Sequence, residues 1–158
     1  MNASTSTSST STRTDQLQRL EDEFGLLVRR VRRVLWERAR TIHPDLQPAT
    51  YLLMAHLAAH GPLRATAIVE AMDIDKGAIS RQLHHLEELG LVRREPDPTD
   101  GRATLVEVTD EAVRRLGAVR ENARGRLERV LADWDDADLA LFVDGLARYN
   151  RATSGSPD

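Results

Sequence analysis

The 158-residue chain contains no cysteine, which excludes a disulfide framework, a thiolate zinc site and a cysteine-based redox switch within it. Aromatic residues are scarce, 4% of the chain against 41% hydrophobic residues in all, so its core has to be built from Leu, Val and Ala, as helical cores are. No apolar run approaches the ~18 residues that a bilayer span needs, and no charged-then-apolar leader opens the sequence. A cytoplasmic location is therefore expected. No nucleophile–base–orienter set, glycine-rich phosphate loop or H-E-x-x-H is present, so neither an enzyme nor a cofactor is expected. His56 and His60 have the spacing of a two-histidine metal face, but no third ligand is evident nearby, and no metal is expected. Positive charge is also short: 22 Lys and Arg stand against 25 Asp and Glu, for a formal net charge of −3. A free-standing nucleic-acid binder ordinarily has the opposite balance.

The most informative stretch is Asp75 to Thr109. Ile79, Leu83 and Leu86 recur at i, i+4 and i+7, the stripe of a helix with one face in a core. Asp75 stands where an N-cap belongs and Gly90 where a left-handed stop belongs, so a helix is expected over 75–89. Its opposite face carries Gly77, Arg81, His84 and Glu88, with Ser80 on the flank and Lys76 in the first turn. Arg81 can fork to guanine or phosphate, Ser80 can donate or accept, and Gly77 would let the backbone come close to a sugar-phosphate strand. Strand-like runs follow at 91–95 and 103–108, with Val106 and Val108 on one face and Leu105 and Glu107 on the other. Between them the prolines and glycine of 96–101 predict an irregular loop. Arg102 leaves that loop, and the Asp100 carboxylate two positions earlier is placed to hold its guanidinium. An arginine on a narrow loop suits the electronegative minor groove. The stretch from Asp75 to Arg102 has one more acidic residue than basic, so Arg81, Arg93, Arg94 and Arg102 are expected to face the groove while Glu87, Glu88 and Glu95 turn away.

Together these motifs resemble the MarR family of bacterial transcriptional regulators. The resemblance rests on Ser80-Arg81, on Leu86-Glu87-Glu88-Leu89-Gly90-Leu91-Val92-Arg93-Arg94, on Asp100-Gly101-Arg102-Ala103 and on Val108-Thr109-Asp110-Glu111-Ala112. Gly101 departs from the pattern, because many members place a second basic residue there. The expected fold is mainly α: a winged helix-turn-helix with a two-stranded β wing and long terminal dimerisation helices.

The rest of the chain fits that plan. Residues 1–14 are almost wholly Ser, Thr, Asn and Ala and are expected to be a disordered tail, as are 151–158. Over 15–47 an N-terminal dimerisation helix is expected, because Leu17, Leu20, Phe24, Leu27, Val31 and Val34 form a seam. A DNA-binding lobe should occupy 48–109, with helices at 48–60 and 63–72; Ala65, Ile68, Val69 and Met72 of the second face inward, and Arg64 opens it as a candidate phosphate contact. Over 110–150 two more helices are expected, one with a seam of Val113, Leu116, Ala123, Leu127 and Val130. The other follows a break at Asp133-Trp134-Asp135 and carries Leu139, Phe142, Leu146 and Tyr149. The arginines at 29, 30, 32, 33, 38 and 40 read either as a second phosphate patch or as the solvated side of the first helix.

The function expected is a homodimeric, sequence-specific regulator of transcription, probing double-stranded DNA as a repressor. Its DNA contacts are expected from Arg64, Lys76, Gly77, Ser80, Arg81, His84, Arg94, Asp100 and Arg102. The resemblance also implies a small aromatic or anionic effector, with Trp36, Arg40, His43 and Tyr51 as candidate lining residues or, equally, as hinge packing. A metal- or pH-responsive regulator of the same fold, in which His84 and His85 titrate, stays open beside it. So does a protein-interaction module that does not bind DNA.

Overall fold

The computed structural model describes residues 6–153, which form six helices and a small sheet. Helix α1 (Ser6–Ile42) is followed by α2 (Pro48–His60), strand β1 (Leu63–Arg64), α3 (Ala65–Met72), α4 (Lys76–Glu88), β2 (Val92–Asp97), β3 (Asp100–Val108), α5 (Asp110–Val130) and α6 (Asp136–Thr153). Two compact units divide the chain, one up to Val119 and one from Arg120.

The first unit is organised by one core. Ala39 and Ile42 from the end of α1 join Leu53, Met54 and Leu57 of α2, Ile68 of α3 and Ile79, Leu83 and Leu86 of α4. Val92, Val106 and Val108 of the sheet, Ala112, Leu116 and Val119 of α5, and Leu46, Tyr51 and Leu91 complete it. The expected inward faces of α3 and α4 are those observed, with Ala65, Val69 and Met72 partly buried beside Ile68. Along α5 the buried stripe is Ala112, Leu116 and Val119, whereas Val113 of the expected seam is exposed.

Helix ends are set by their capping residues. Pro48 starts α2 at a position whose N–H would have no helical partner in any case. Asp75 accepts a bond from the Ala78 amide at 3.0 Å and starts α4. At the other end of α4, Gly90 donates to the Glu87 carbonyl and Leu91 to the Leu86 carbonyl, both at 2.9 Å. That is a Schellman pair, and it holds Gly90 at φ 67°. Thr109 then ties this corner to α5: its hydroxyl lies 3.1 Å from the Gly90 carbonyl, and its amide donates to Leu91 at 3.0 Å.

Three expectations change. The expected helix over 63–72 begins at Ala65, because Leu63 and Arg64 pair with Val106 and Leu105 as an antiparallel strand, which adds a third member to the expected two-stranded wing in the order β1-β3-β2. The loop expected over 96–101 shrinks to a turn at Pro98-Thr99: Pro96 pairs with Thr104, and the irregularity falls between Pro96 and Asp97. Proline is tolerated there because β2 is an edge strand, with ladder bonds on one side only. Finally, the stretch 6–14, expected as a structureless tail, is helical. Extending an established helix costs only propagation, and Ser and Thr fall below Ala by only roughly half a kcal/mol per residue. Residues 1–5 of that tail lie outside the described residues, as do 154–158, while 151–153 belong to α6.

In the second unit, the Asp135 carboxylate accepts from the Asp138 amide at 2.8 Å and caps α6. Trp134 meets Phe142 edge to face at 5.5 Å. No α6 residue is buried. Among the described residues, no helix is long and apolar enough to cross a membrane.

Gly90 gives the sharpest test of this local logic. Nothing lies within 4 Å of where its Cβ would sit, so Gly90→Ala should destabilise the protein through backbone strain alone, by about 1–2 kcal/mol in urea unfolding. Gly101 has equally open space and no left-handed φ, so Gly101→Ala should stay within about 0.5 kcal/mol of wild type.

Candidate nucleic-acid interface

Burial of Ile79, Leu83 and Leu86 turns the opposite face of α4 outward. Arg81 and His84 are exposed there and Gly77 is half-buried, with Ser80 exposed on the flank and Lys76 exposed in the first turn. A Cβ on Gly77 would lie 3.0 Å from an Asp75 carboxylate oxygen and 3.4 Å from an Arg81 guanidinium nitrogen. The glycine thus leaves room for both the cap and the arginine. His84 is less available than expected, since Nε2 lies 3.4 Å from Glu88. His85 instead donates from Nε2 to the Asp45 carbonyl at 3.2 Å, joining α4 to the loop after α1.

The wing cations divide into held and unheld. Arg93 is gripped by Glu107 at 2.7 Å and Glu95 at 2.9 Å, and the Glu107 bond raises its pKa above the usual value. Arg94 reaches back to Glu87 of α4 at 3.0 Å. Both were expected to face the groove freely, with Glu87 and Glu95 turned away; instead the carboxylates nearest them on the sheet and helix take them up. Asp100 also behaves differently. Its Oδ1 accepts the Arg102 backbone amide at 3.2 Å, while Oδ2 lies 3.7 Å from Arg64. Arg102 keeps its guanidinium exposed and without an acidic partner among the described residues, as do Lys76 and Arg81.

Arg64, expected to meet phosphate, forms the tightest pair of the wing. Its Nε and Nη2 lie 2.7 and 2.5 Å from Oδ2 of Asp97. Oδ1 of that carboxylate accepts the amide and hydroxyl of Thr99 at 2.8 and 2.6 Å. The Asp97 side chain is only 7% exposed. Thr99, followed by Arg64, holds it well below the usual carboxylate range, at about 2. Asp97 and Thr99 escaped the sequence reading, although Asp-x-Thr after a proline is the signature of a side-chain-closed turn.

The candidate effector residues separate. Arg40 lies 5.6 Å over the Trp36 ring on α1, but Tyr51 is 4% exposed and belongs to the core. His43 accepts the Asp45 amide at 3.2 Å. A cavity of about 220 Å³ opens elsewhere, between α3, α4 and β2, lined by Ala65, Thr66, Val69, Glu70, Lys76, Ile79, Ser80, Leu83 and Arg94. His56 and His60 stack at 4.1 Å, with His60 Nδ1 donating to the His56 carbonyl. No group of three metal-ligating side chains is found among the described residues. Of the seam residues, Leu17, Leu20, Leu27, Leu139, Phe142, Leu146 and Tyr149 are exposed and Phe24 is half-buried.

Because the Asp97 pKa is depressed, its contribution to folding is complete above the ordinary value of 3.8 and disappears as pH falls through about 2. A carboxyl-carbon NMR titration should place its midpoint near 2. Thr99→Val, which deletes the leading hydroxyl bond, should move that midpoint up; an unmoved midpoint would assign the depression to another cause.

Comparison with known proteins bears on what this face does. A family model described as the MarR family matches residues 45–103, which run from just before α2 into β3. An uncharacterized HTH-type transcriptional regulator of Bacillus subtilis (strain 168), YxaD, is 30% identical over 133 residues, covering 84% of this chain and 92% of that protein. The HTH-type transcriptional repressor NicR of Pseudomonas putida is 30% identical over 81 residues, 51% of each chain. The crystal structure of a MarR family transcription regulator, SP03579, superposes with a TM-score of 0.79 over 92% of this chain and 95% of that one, at 17% identity, and so speaks for the fold. With the outward face of α4, the anchored wing and a relative matched over nearly its full length, the chain belongs to the MarR family of transcriptional regulators.

Proposed function

We propose that the protein is a homodimeric, sequence-specific DNA-binding repressor whose α4 enters a major groove while Arg102 reaches the adjacent minor groove. The observation carrying this reading is that Lys76, Arg81 and Arg102 are exposed without an acidic partner among the described residues, on an acidic chain whose neighbouring Arg93 and Arg94 are paired with carboxylates. Three exposed cations at the start of one helix and the tip of one hairpin suit a phosphate strand flanked by two grooves. They also account for an acidic protein reading DNA, since local potential rather than net charge meets the duplex.

Dimerisation is supported by Leu17, Leu20 and Leu27 on α1 and by Leu139, Phe142, Leu146 and Tyr149 on α6, all at least 38% exposed in one subunit. Apolar faces of that extent mark a contact surface. A two-fold dimer reads a pseudo-palindrome with half-sites about 10 bp apart. Repression follows if the bound dimer excludes the transcription machinery, and NicR, a relative, is named a repressor.

For an effector, the cavity between α3, α4 and β2 is a better receptacle than the Trp36, Arg40, His43 and Tyr51 set, because Tyr51 is committed to the core. A small aromatic anion there would sit beside Ser80 and Arg94. It could alter DNA affinity only by favouring one placement of α4 over another.

Selection from a randomised duplex pool should return a pseudo-palindrome, and sedimentation should give a dimer. Arg81→Ala should lose about 1–3 kcal/mol of specific affinity; an unchanged affinity would favour a protein-interaction module. Benzoate, titrated into the protein–DNA complex, should release DNA from wild type. That response should vanish in Arg94→Ala if the α3–α4 cavity is used, and in Trp36→Ala if the α1 site is used.

A further inference from the structure

Arg64 ends β1 and N-caps α3 with extended backbone at φ −70° and ψ 146°. An arginine at a helix start reads as a phosphate contact, yet this guanidinium is already engaged on two sides. Asp97 takes Nε and Nη2, and Asp100 lies 3.7 Å from Nη1. Each of those carboxylates uses its other oxygen to hold backbone leading to the tip: Asp97 binds the Thr99 amide, and Asp100 binds the Arg102 amide. Backbone pairing adds a parallel link, since Arg64 is in register with Leu105 of β3. An unbroken set of contacts thus runs from the first residue before α3 to the arginine presented by the wing.

Resting on the DNA-binding reading above, we infer that Arg64 is a positioning residue: it clamps the wing through Asp97 and Asp100 so that Arg102 is delivered at a fixed place relative to α4, and it makes no phosphate contact of its own. To meet phosphate with its Nε–Nη2 edge, the guanidinium would have to leave a carboxylate that is almost wholly buried, stranding that charge without its partner, and the remaining Nη1 faces Asp100. The fork geometry is also what the site uses. A planar guanidinium spans two carboxylates, whereas the point charge of a lysine serves one at a time.

The clamp and a phosphate contact predict opposite signs for one substitution. Asp97→Asn deletes a negative charge from the wing while keeping an oxygen for Thr99. By charge alone it should strengthen binding to a polyanion; by loss of the clamp it should weaken it. Full-length variants would be measured at several salt concentrations on the duplex that wild type selects from a randomised pool. Asp97→Asn and Arg64→Lys should each bind about tenfold more weakly, the scale of coupling between neighbouring groups. In an Arg102→Ala background, Arg64→Ala should add less than about a twofold loss, since residues acting through one contact are not additive. The clamp is overturned if Asp97→Asn binds as tightly as wild type or tighter, or if Arg64→Lys keeps full affinity. It is equally overturned if Arg64→Ala lowers the salt slope by about one in the Arg102→Ala background, the mark of a lost phosphate contact. Should Asp97→Asn fail to fold by circular dichroism, Arg64→Lys and the double-variant cycle decide the matter. If wild type selects no duplex, the DNA reading falls and takes the clamp with it; if wild type selects one and the variants are unimpaired, only the clamp falls.

Discussion

Burial of Ile79, Leu83 and Leu86, each no more than 1% exposed, fixes how far α4 is rolled about its own axis, and the outward face follows from that roll. Successive residues turn by about 100°, so the residues on the far side of the helix are Gly77, Arg81, His84 and Glu88, with Ser80 a quarter-turn away. Rolling the helix by even one position would expose an apolar side chain worth about 1.5–3 kcal/mol in burial and bring Arg81 toward the core. The core therefore acts as an alignment device. The Asp75 cap and the Schellman pair at Gly90 fix where the helix starts and stops, while the stripe fixes which way it faces.

The wing is aligned by other means. Its inner face is held by Val106 and Val108, but its tip projects beyond the core and has no apolar stripe to orient it. Polar contacts do that work: β1 pairs with β3, and Arg64, Asp97, Thr99 and Asp100 fix the turn that follows. One alignment is apolar and the other is electrostatic. Among the described residues Lys76 and Arg81 of α4 and Arg102 of β3 have no acidic partner, whereas Arg93 and Arg94 of β2 are taken up by Glu107, Glu95 and Glu87.

What was legible in the sequence follows the same division. The α4 stripe, its N-cap, its glycine stop and the inward residues of α3 could be read because periodicity and capping are local rules, and a helix obeys them over a dozen residues. The strand at Leu63-Arg64 could not be read, because two residues carry no period and their partner lies some 40 positions on at Leu105-Val106. For the same reason the Arg93–Glu107, Arg94–Glu87 and Arg64–Asp97 pairs were hidden: each joins residues from different elements, and sequence separation says nothing about which carboxylate will be nearest. Tyr51 illustrates a third limit. Its residue type suits a ligand wall and a core equally, and only the packing of α2 against the end of α1 assigns it to the core. The tip at Pro98-Thr99 was half-legible, since the prolines announced a turn but not that an edge strand would carry Pro96 into the sheet.

The terminal helices raise a different energetic question. An isolated helix shorter than about 12–15 residues is marginal in water, and a longer one gains most of its stability by burying an apolar face. In α6 no residue is buried, although Leu139, Phe142, Leu146 and Tyr149 recur at spacings of three and four. The Asp135 cap and the Trp134–Phe142 contact contribute at one end only. A helix of 18 residues in that condition has the pattern of a packed element with its apolar side chains still exposed. The N-terminal part of α1 shares it, with Leu17, Leu20, Leu27 and Val31 all exposed. Supplying the missing surface from a second copy would do more than bury these side chains. It would bring two α4 faces, each with its roll already fixed by its own core, into one symmetric object, so that the spacing between them becomes the quantity that a duplex selects.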